Sequence, residues 1–131
     1  MENGVIARKQ RCIRILIADD EFTVCKGIET ILSIEDDIDI VGVASNGLEA
    51  VALIEQLRPD IVLLDMGMPH LDGFEAIKLI QEKKLHTAII ALDLRPDTER
   101  QLRILESGVF DVIDKSIPNE NLVNIIRSVK L

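Results

Sequence analysis

Tryptophan and tyrosine are absent from this 131-residue sequence and phenylalanine occurs only three times, so aromatic residues make up 2% of it. So few rings leave no stacking platform for nucleic-acid bases, and no Trp or Tyr to flank a flavin ring. Basic residues are outnumbered, 15 Lys and Arg against 23 Asp and Glu, for a formal net charge of -8. That balance argues against nonspecific binding to nucleic acid or to anionic lipid, both of which need basic surface. No apolar stretch approaches the roughly 20 residues of a membrane-spanning helix. The opening Met1-Glu2-Asn3-Gly4 lacks the basic-then-apolar order of a signal peptide, so a cytoplasmic protein with no membrane partner is expected. Cys12 and Cys25 lie in or beside apolar periodic segments, and His70 and His86 occupy loop positions without ligand-spaced companions. Reduced, packed thiols and surface histidines are the expectation.

What the chain has is apolar content, 47% of its residues. At this length that makes one domain, able to bury about two thirds of its unfolded surface without disulfides or structural metal. Three apolar runs end in aspartate. Ile15-Leu16-Ile17-Ala18 leads into Asp19-Asp20, Ile61-Val62-Leu63-Leu64 into Asp65, and Ala88-Ile89-Ile90-Ala91-Leu92 into Asp93. Such runs read as strands buried on both faces of a parallel sheet, which places the four carboxylates along one edge of it. The carboxyl ends of parallel strands form the ligand crevice of open α/β sheets, and crowded carboxylates there suit a hard cation such as magnesium.

Strand and helix patterns alternate. Residues 1 to 11 read as a flexible tail carrying Arg8, Lys9 and Arg11, followed by a domain over 12–131. The first helix is expected from Glu21 to about Ser33 and the second strand over Ile38 to Ala44. The turn Ser45-Asn46-Gly47 leads into a helix facing inward with Leu48, Val51, Ala52 and Leu57, and Pro59 stops it. The strand Asp60 to Asp65 runs into the loop Met66 to Gly73, then a helix with Phe74, Ile77, Leu79 and Ile80, then a strand over Thr87 to Leu92. A helix from about Pro96 to Ser107 with Gly108 at its C-terminus, a strand over Phe110 to Ile113, and a helix from about Pro118 to Val129 complete the order. Five β-α units in this order give an α/β fold with a doubly wound parallel sheet, flavodoxin-like, in strand order 2-1-3-4-5.

That order puts strands one and three side by side, so Asp19, Asp20 and Asp65 share a pocket, with Lys115 just past strand five in reach. Two unit charges about 5 Å apart cost roughly 3 kcal/mol at an effective dielectric near 20, which a divalent cation relieves. Taken singly, Asp19 or Asp20 can cap the first helix and Asp65 can open a turn.

Together, Ile15-Leu16-Ile17-Ala18-Asp19-Asp20-Glu21, the segment Ile61 to Gly73 and the pair Asp114-Lys115 resemble a response-regulator receiver domain of two-component signalling. The resemblance covers nearly the whole chain beyond the tail. It implies that Asp65 accepts a phosphoryl group from a phosphohistidine on a sensor histidine kinase or phosphotransfer protein. It further implies that Asp20, Asp65 and the backbone carbonyl of Gly67 ligate Mg2+, that Asp19 acts through water, and that Lys115 pairs with Asp65 or its phosphoryl oxygens. Slow self-dephosphorylation would act as a timer rather than as enzymatic turnover, tuned at Gly67 and Arg95. Homodimerisation is expected on the face of the fourth helix, fifth strand and fifth helix, including Arg95, Arg100, Arg103 and Asp111.

Two positions depart from the family pattern. Asp93 stands where a Ser or Thr usually bonds the phosphoryl group, and Val112 stands where Tyr or Phe is common. A carboxylate has no proton to donate and repels a phosphoryl group carrying about two negative charges. Asp93 is therefore expected to turn outward or pair with Arg95, to bridge to Lys115, or to join the magnesium cluster. A phosphorylation-independent pseudo-receiver working by protein contact is the competing reading. The segment Ile38 to Gly47 and the pair Lys115-Ser116 resemble receivers of helix-turn-helix transcription regulators. No such output domain follows within this sequence, so a stand-alone receiver or a piece of a longer regulator is expected, with no nucleic-acid contact by this domain.

Overall fold

Isoleucine, valine and leucine fill the short strands, and polar residues that cap backbone N–H groups open three of the helices. Asn46 accepts from Glu49 N–H at 2.8 Å and Asp97 from Arg100 N–H at 2.8 Å. Asp72 and Glu75 form a reciprocal capping box, each carboxylate accepting from the other residue's N–H. In the computed structural model, which describes residues 12–116 and 121–131, these signals delimit the following elements. They are β1 (Ile13–Ala18), α1 (Phe22–Ser33), β2 (Ile38–Ala44), α2 (Gly47–Leu57) and β3 (Ile61–Asp65), then α3 (Gly73–Glu82), β4 (Ala88–Asp93), α4 (Thr98–Glu106), β5 (Asp111–Asp114) and α5 (Leu122–Ser128). The tail expected over 1–11 and the helix start expected at Pro118 lie outside the described residues.

All strand pairs are parallel, in the order β2-β1-β3-β4-β5. This is the expected doubly wound sheet, and pleat alternation divides its core in two. Ile15, Ile17, Ile61, Leu63, Ile90, Leu92 and Ile113 face α1 and α5, where Cys25, Ile28, Leu32, Leu122 and Ile126 meet them. Leu16, Ala18, Val62, Leu64, Ile89 and Ala91 face Ala50, Val51, Ile54, Ala76, Ile77, Ile80 and Ile104 of α2, α3 and α4. Along edge strand β2 the register slips: Ile15 pairs with Ile40 but Leu16 with Gly42, leaving Val41 as a bulge. Gly42 suits that point, since a Cβ there would come within 3.1 Å of Leu57 and 3.3 Å of Leu16.

Some expected faces and boundaries differ. Leu48 is 57% exposed and Ala52 is exposed, because α2 buries Gly47, Ala50, Val51 and Ile54, the i, i+3, i+4, i+7 stripe counted from its first residue. α4 starts at Thr98, two residues after Pro96, because Asp97 rather than the proline supplies the cap. Gly108 follows that helix at φ 105°, a backbone conformation that L side chains resist.

Candidate functional site

The alternation that sorts the core also builds the site. Asp19 continues the Ile15, Ile17 side of β1, Asp65 the Ile61, Leu63 side of β3, and Lys115 the Ile113 side of β5, so all three rise on the α1/α5 side of the sheet. Asp19 is 2% exposed and Asp65 4%. Lys115 Nζ lies 2.9 Å from Asp19 Oδ2, 3.0 Å from Asp65 Oδ2 and 2.7 Å from Glu21 Oε1. Backbone donors hold the acids in place: Glu21 N–H donates to Asp19 Oδ1 at 2.8 Å and Gly67 N–H to Asp65 Oδ1 at 3.0 Å. Beneath them the Cys25 thiol donates to the Asp19 carbonyl at 3.3 Å, and burial with the nearby Asp19 charge pushes that thiol's pKa up.

Electrostatics follow from this burial. Desolvation pushes the Asp65 carboxyl above the usual carboxylate range, although its bonds from Gly67 and Lys115 pull the other way. Burial pulls Lys115 down, but its bonds to Glu21, Asp19 and Asp65 outweigh that and leave it above the ordinary lysine value. The ammonium therefore serves as resident counter-ion to a nest of carboxylates.

Oxygens of Asp19, Glu21 and Asp65 lie within 4.8 Å of one another. An all-carboxylate donor set of that size fits a hard divalent cation such as Mg2+, and it lacks the imidazole and thiolate donors a softer metal prefers. Gly67 closes the same side, where an added Cβ would lie 3.8 Å from Asp65 Oδ1. Asp20 is exposed and makes no ion pair among the described residues. The structure thus brings Asp19, Asp65 and Lys115 together, adds Glu21, and leaves Asp20 outside the cluster.

Asp93 stands elsewhere, and the expected convergence of four strand-end carboxylates is corrected here. Asp93 pairs in register with Asp114, so its side chain takes the opposite side from Lys115, above Ile89 and Ala91 and toward α4. There Arg100 grips it: Arg100 Nε donates to Asp93 Oδ2, and Nη2 donates to Oδ1 at 3.3 Å. None of the partners expected for Asp93, whether Arg95, Lys115 or the carboxylate cluster, is the one it takes. Arg95 instead donates its backbone N–H to Asp114 at 3.0 Å. The Arg100 and Arg103 guanidiniums lie 5.7 and 5.1 Å from the Phe74 ring centroid, which orients both. Val112 is half-buried against the α2–α4 side of the core and offers no hydroxyl.

Sequence reasoning missed Glu21 and Arg100 as site residues. The acidic triplet Asp19-Asp20-Glu21 carried the first signal, because a turn closed by Asp19 on the Glu21 N–H returns the glutamate to the lysine. The second lay in a helix whose start had to be known before Arg100 and Arg103 could be placed on one face.

A five-stranded parallel sheet wound on both sides, with buried aspartates and a lysine meeting at one end, is the architecture of a receiver. The family model for the response regulator receiver domain matches residues 15–127, and the chain belongs to that family. It is 40% identical over 111 residues to the uncharacterized transcriptional regulatory protein YhcZ of Bacillus subtilis, covering 85% of this chain and 52% of that protein. Among solved structures, the response regulator domain of Thermotoga maritima CheB is 32% identical with a TM-score of 0.75, over 89% of this chain and 90% of that one. The CheX-CheY-BeF3-Mg+2 complex of Borrelia burgdorferi matches at 25% identity and a TM-score of 0.81, over 90% of each chain. The chain spans about half the length of the curated transcriptional regulators it matches, among them NarL of Escherichia coli at 32% identity over 86% of this chain and 52% of NarL. No helix among the described residues is long and apolar enough to cross a membrane.

Proposed function

We propose that Asp65 is the phosphoacceptor of this receiver, charged by the phosphohistidine of a sensor histidine kinase or phosphotransfer protein. An Asp65 carboxylate oxygen attacks phosphorus, the bond from phosphorus to the donor imidazole breaks, and the imidazole leaves with the electron pair and takes up a proton. The observation that supports this most is Lys115, whose ammonium already sits 3.0 Å from the acceptor carboxylate and 2.9 Å from Asp19. It favours the ionised form of the acid against its burial and stands ready to neutralise the equatorial oxygens of the incoming group.

Asp20, Asp65 and the Gly67 carbonyl are the groups we assign to Mg2+, with Asp19 acting through water and Glu21 as an adjoining carboxylate. When bound, the ion supplies the remaining neutralisation of phosphoryl charge. The similar Borrelia complex is named with both BeF3 and Mg2+, which supports a magnesium site in this fold. Slow hydrolysis of the acyl phosphate resets the domain, so it works as a timed signalling input and not as a metabolic enzyme. By likeness to relatives about twice its length, residues 12–131 serve as the receiver of a transcription regulator; pairing with a second copy through α4, β5 and α5 is part of the same proposal and rests on the sequence resemblance alone.

Incubation with Mg2+ and a small phosphodonor, followed by intact mass, tests the reading. A single phosphoryl increment on the wild type, absent from Asp65→Asn, is expected; an unmodified wild type rejects it. The Asp93–Arg100 pair favours a second reading, a pseudo-receiver acting by contact alone, and that same unmodified result would support it.

A further inference from the structure

Asp93 poses a problem for any anion arriving at Asp65. Asp65 pairs in register with Leu92, and Met66 N–H donates to the Leu92 carbonyl at 2.9 Å, so Asp93 follows immediately on the neighbouring strand. With strands about 4.8 Å apart and a rise of about 3.3 Å, the two aspartate Cα atoms stand about 6 Å from each other, and their side chains leave the sheet on opposite sides, so the Asp93 charge acts on the acceptor across the sheet edge and not by contact. A bare carboxylate there would oppose a phosphodonor on approach and the phosphoryl group after transfer.

Arg100 removes that charge. Both Asp93 oxygens are taken by its fork, and the Asp93 side chain is only 9% exposed. The arginine is itself held: its N–H is capped by Asp97, and its guanidinium lies over Phe74. Asp72 and Asp97 also contribute negative potential around it. A planar fork on a buried carboxylate is the geometry at which arginine neutralises most completely.

We propose that Arg100 is a positioning residue for phosphoryl acceptance: by pairing with Asp93 it cancels a carboxylate beside the acceptor, and so keeps open to anionic donors a site that Asp93 alone would close. The proposal rests on Asp65 being the acceptor. It makes a signed prediction, because an unpaired Asp93 must repel anions and attract cations alike.

The experiment compares wild type, Arg100→Gln, Arg100→Lys and the double variant Asp93→Asn with Arg100→Gln, each first shown to be folded by circular dichroism. The rate of phosphoryl uptake from acetyl phosphate with Mg2+ and, separately, the Mg2+ dissociation constant by titration calorimetry are measured. Arg100→Gln should take up phosphoryl about tenfold more slowly while binding Mg2+ several-fold more tightly, both differences shrinking as salt is raised. Arg100→Lys should keep most of the wild-type rate, and the double variant should recover both quantities. Loss of uptake and of Mg2+ affinity together in Arg100→Gln is the signature of a loosened fold and overturns the proposal, as do two unchanged values or no recovery in the double variant. If the wild type takes up no phosphoryl group, the assignment of Asp65 falls instead. The Mg2+ titration then decides alone, with tighter binding by Arg100→Gln supporting the pair's role and unchanged binding overturning it.

Discussion

Replacing Lys115 by methionine keeps much of its stem volume and removes the counter-ion from the site. Asp19 and Asp65, 0% and 6% exposed at their side chains, would then face each other with oxygens inside 4.8 Å. Two unit charges at that separation cost about 3 kcal/mol at an effective dielectric near 20, which agrees with the roughly 3–5 kcal/mol lost when one member of a buried pair is deleted. Glu21, 59% exposed, adds little to the loss. Against a domain stability of about 10 kcal/mol the expected loss near 3 kcal/mol is large, and it lowers Tm by about 10 °C. Asp65 already has a carboxyl raised above its ordinary value of 3.8 by burial, and loss of the lysine raises it further. A folded-state pKa above the unfolded one means that the native protein binds the extra proton, so relief grows as pH falls toward that ordinary value. Urea unfolding at pH 7 and pH 5 should therefore show a clearly smaller loss at pH 5. Mg2+ at a hundredfold its Kd should return about 2.7 kcal/mol at pH 7. An equal loss at both pH values, untouched by Mg2+, would refute the electrostatic reasoning and leave only lost packing.

Asp65→Asn should abolish phosphoryl uptake without destabilising the fold at pH 7, since it removes a charge whose burial outweighs its bonds; in urea melts any gain should fade as the wild-type carboxyl protonates on acidification. Two glycine substitutions should move stability in opposite directions in the same assay. Gly27→Ala, in mid-helix with nothing within 4 Å of the added Cβ, should gain about 0.5–1 kcal/mol. Gly73→Ala, whose Cβ would meet Met66 Sδ at 2.4 Å and Met66 Cα at 2.7 Å, should lose about 2 kcal/mol.

Much of the fold was legible because each signal was local. Aliphatic runs, the Asn46 cap and Gly108 mark where elements begin and end, and the βα alternation admits few topologies, of which β2-β1-β3-β4-β5 is one. The meeting of Asp19, Asp65 and Lys115 followed from strand order alone. Asp93 did not, because a strand buried on both faces shows no alternation of polarity, and nothing in Ala88-Ile89-Ile90-Ala91-Leu92 says which face the next residue takes. Pairing with Asp114 decides it. Arg100 depended further on where α4 starts, and Leu48 was misplaced because a stripe counted one residue late turns a helix by about 100°.

The irregular pairing at Val41 bears on how copies of this domain avoid one another. A straight outer strand invites a second chain to zip alongside through unpaired amides and carbonyls, the first step toward fibrils. Kinked at Val41-Gly42, and with Asp39 exposed on the same strand, this rim is a poor template for such growth. The other rim is the four-residue β5, too short to offer much of one. Growth by strand addition is thereby disfavoured at both rims of the sheet.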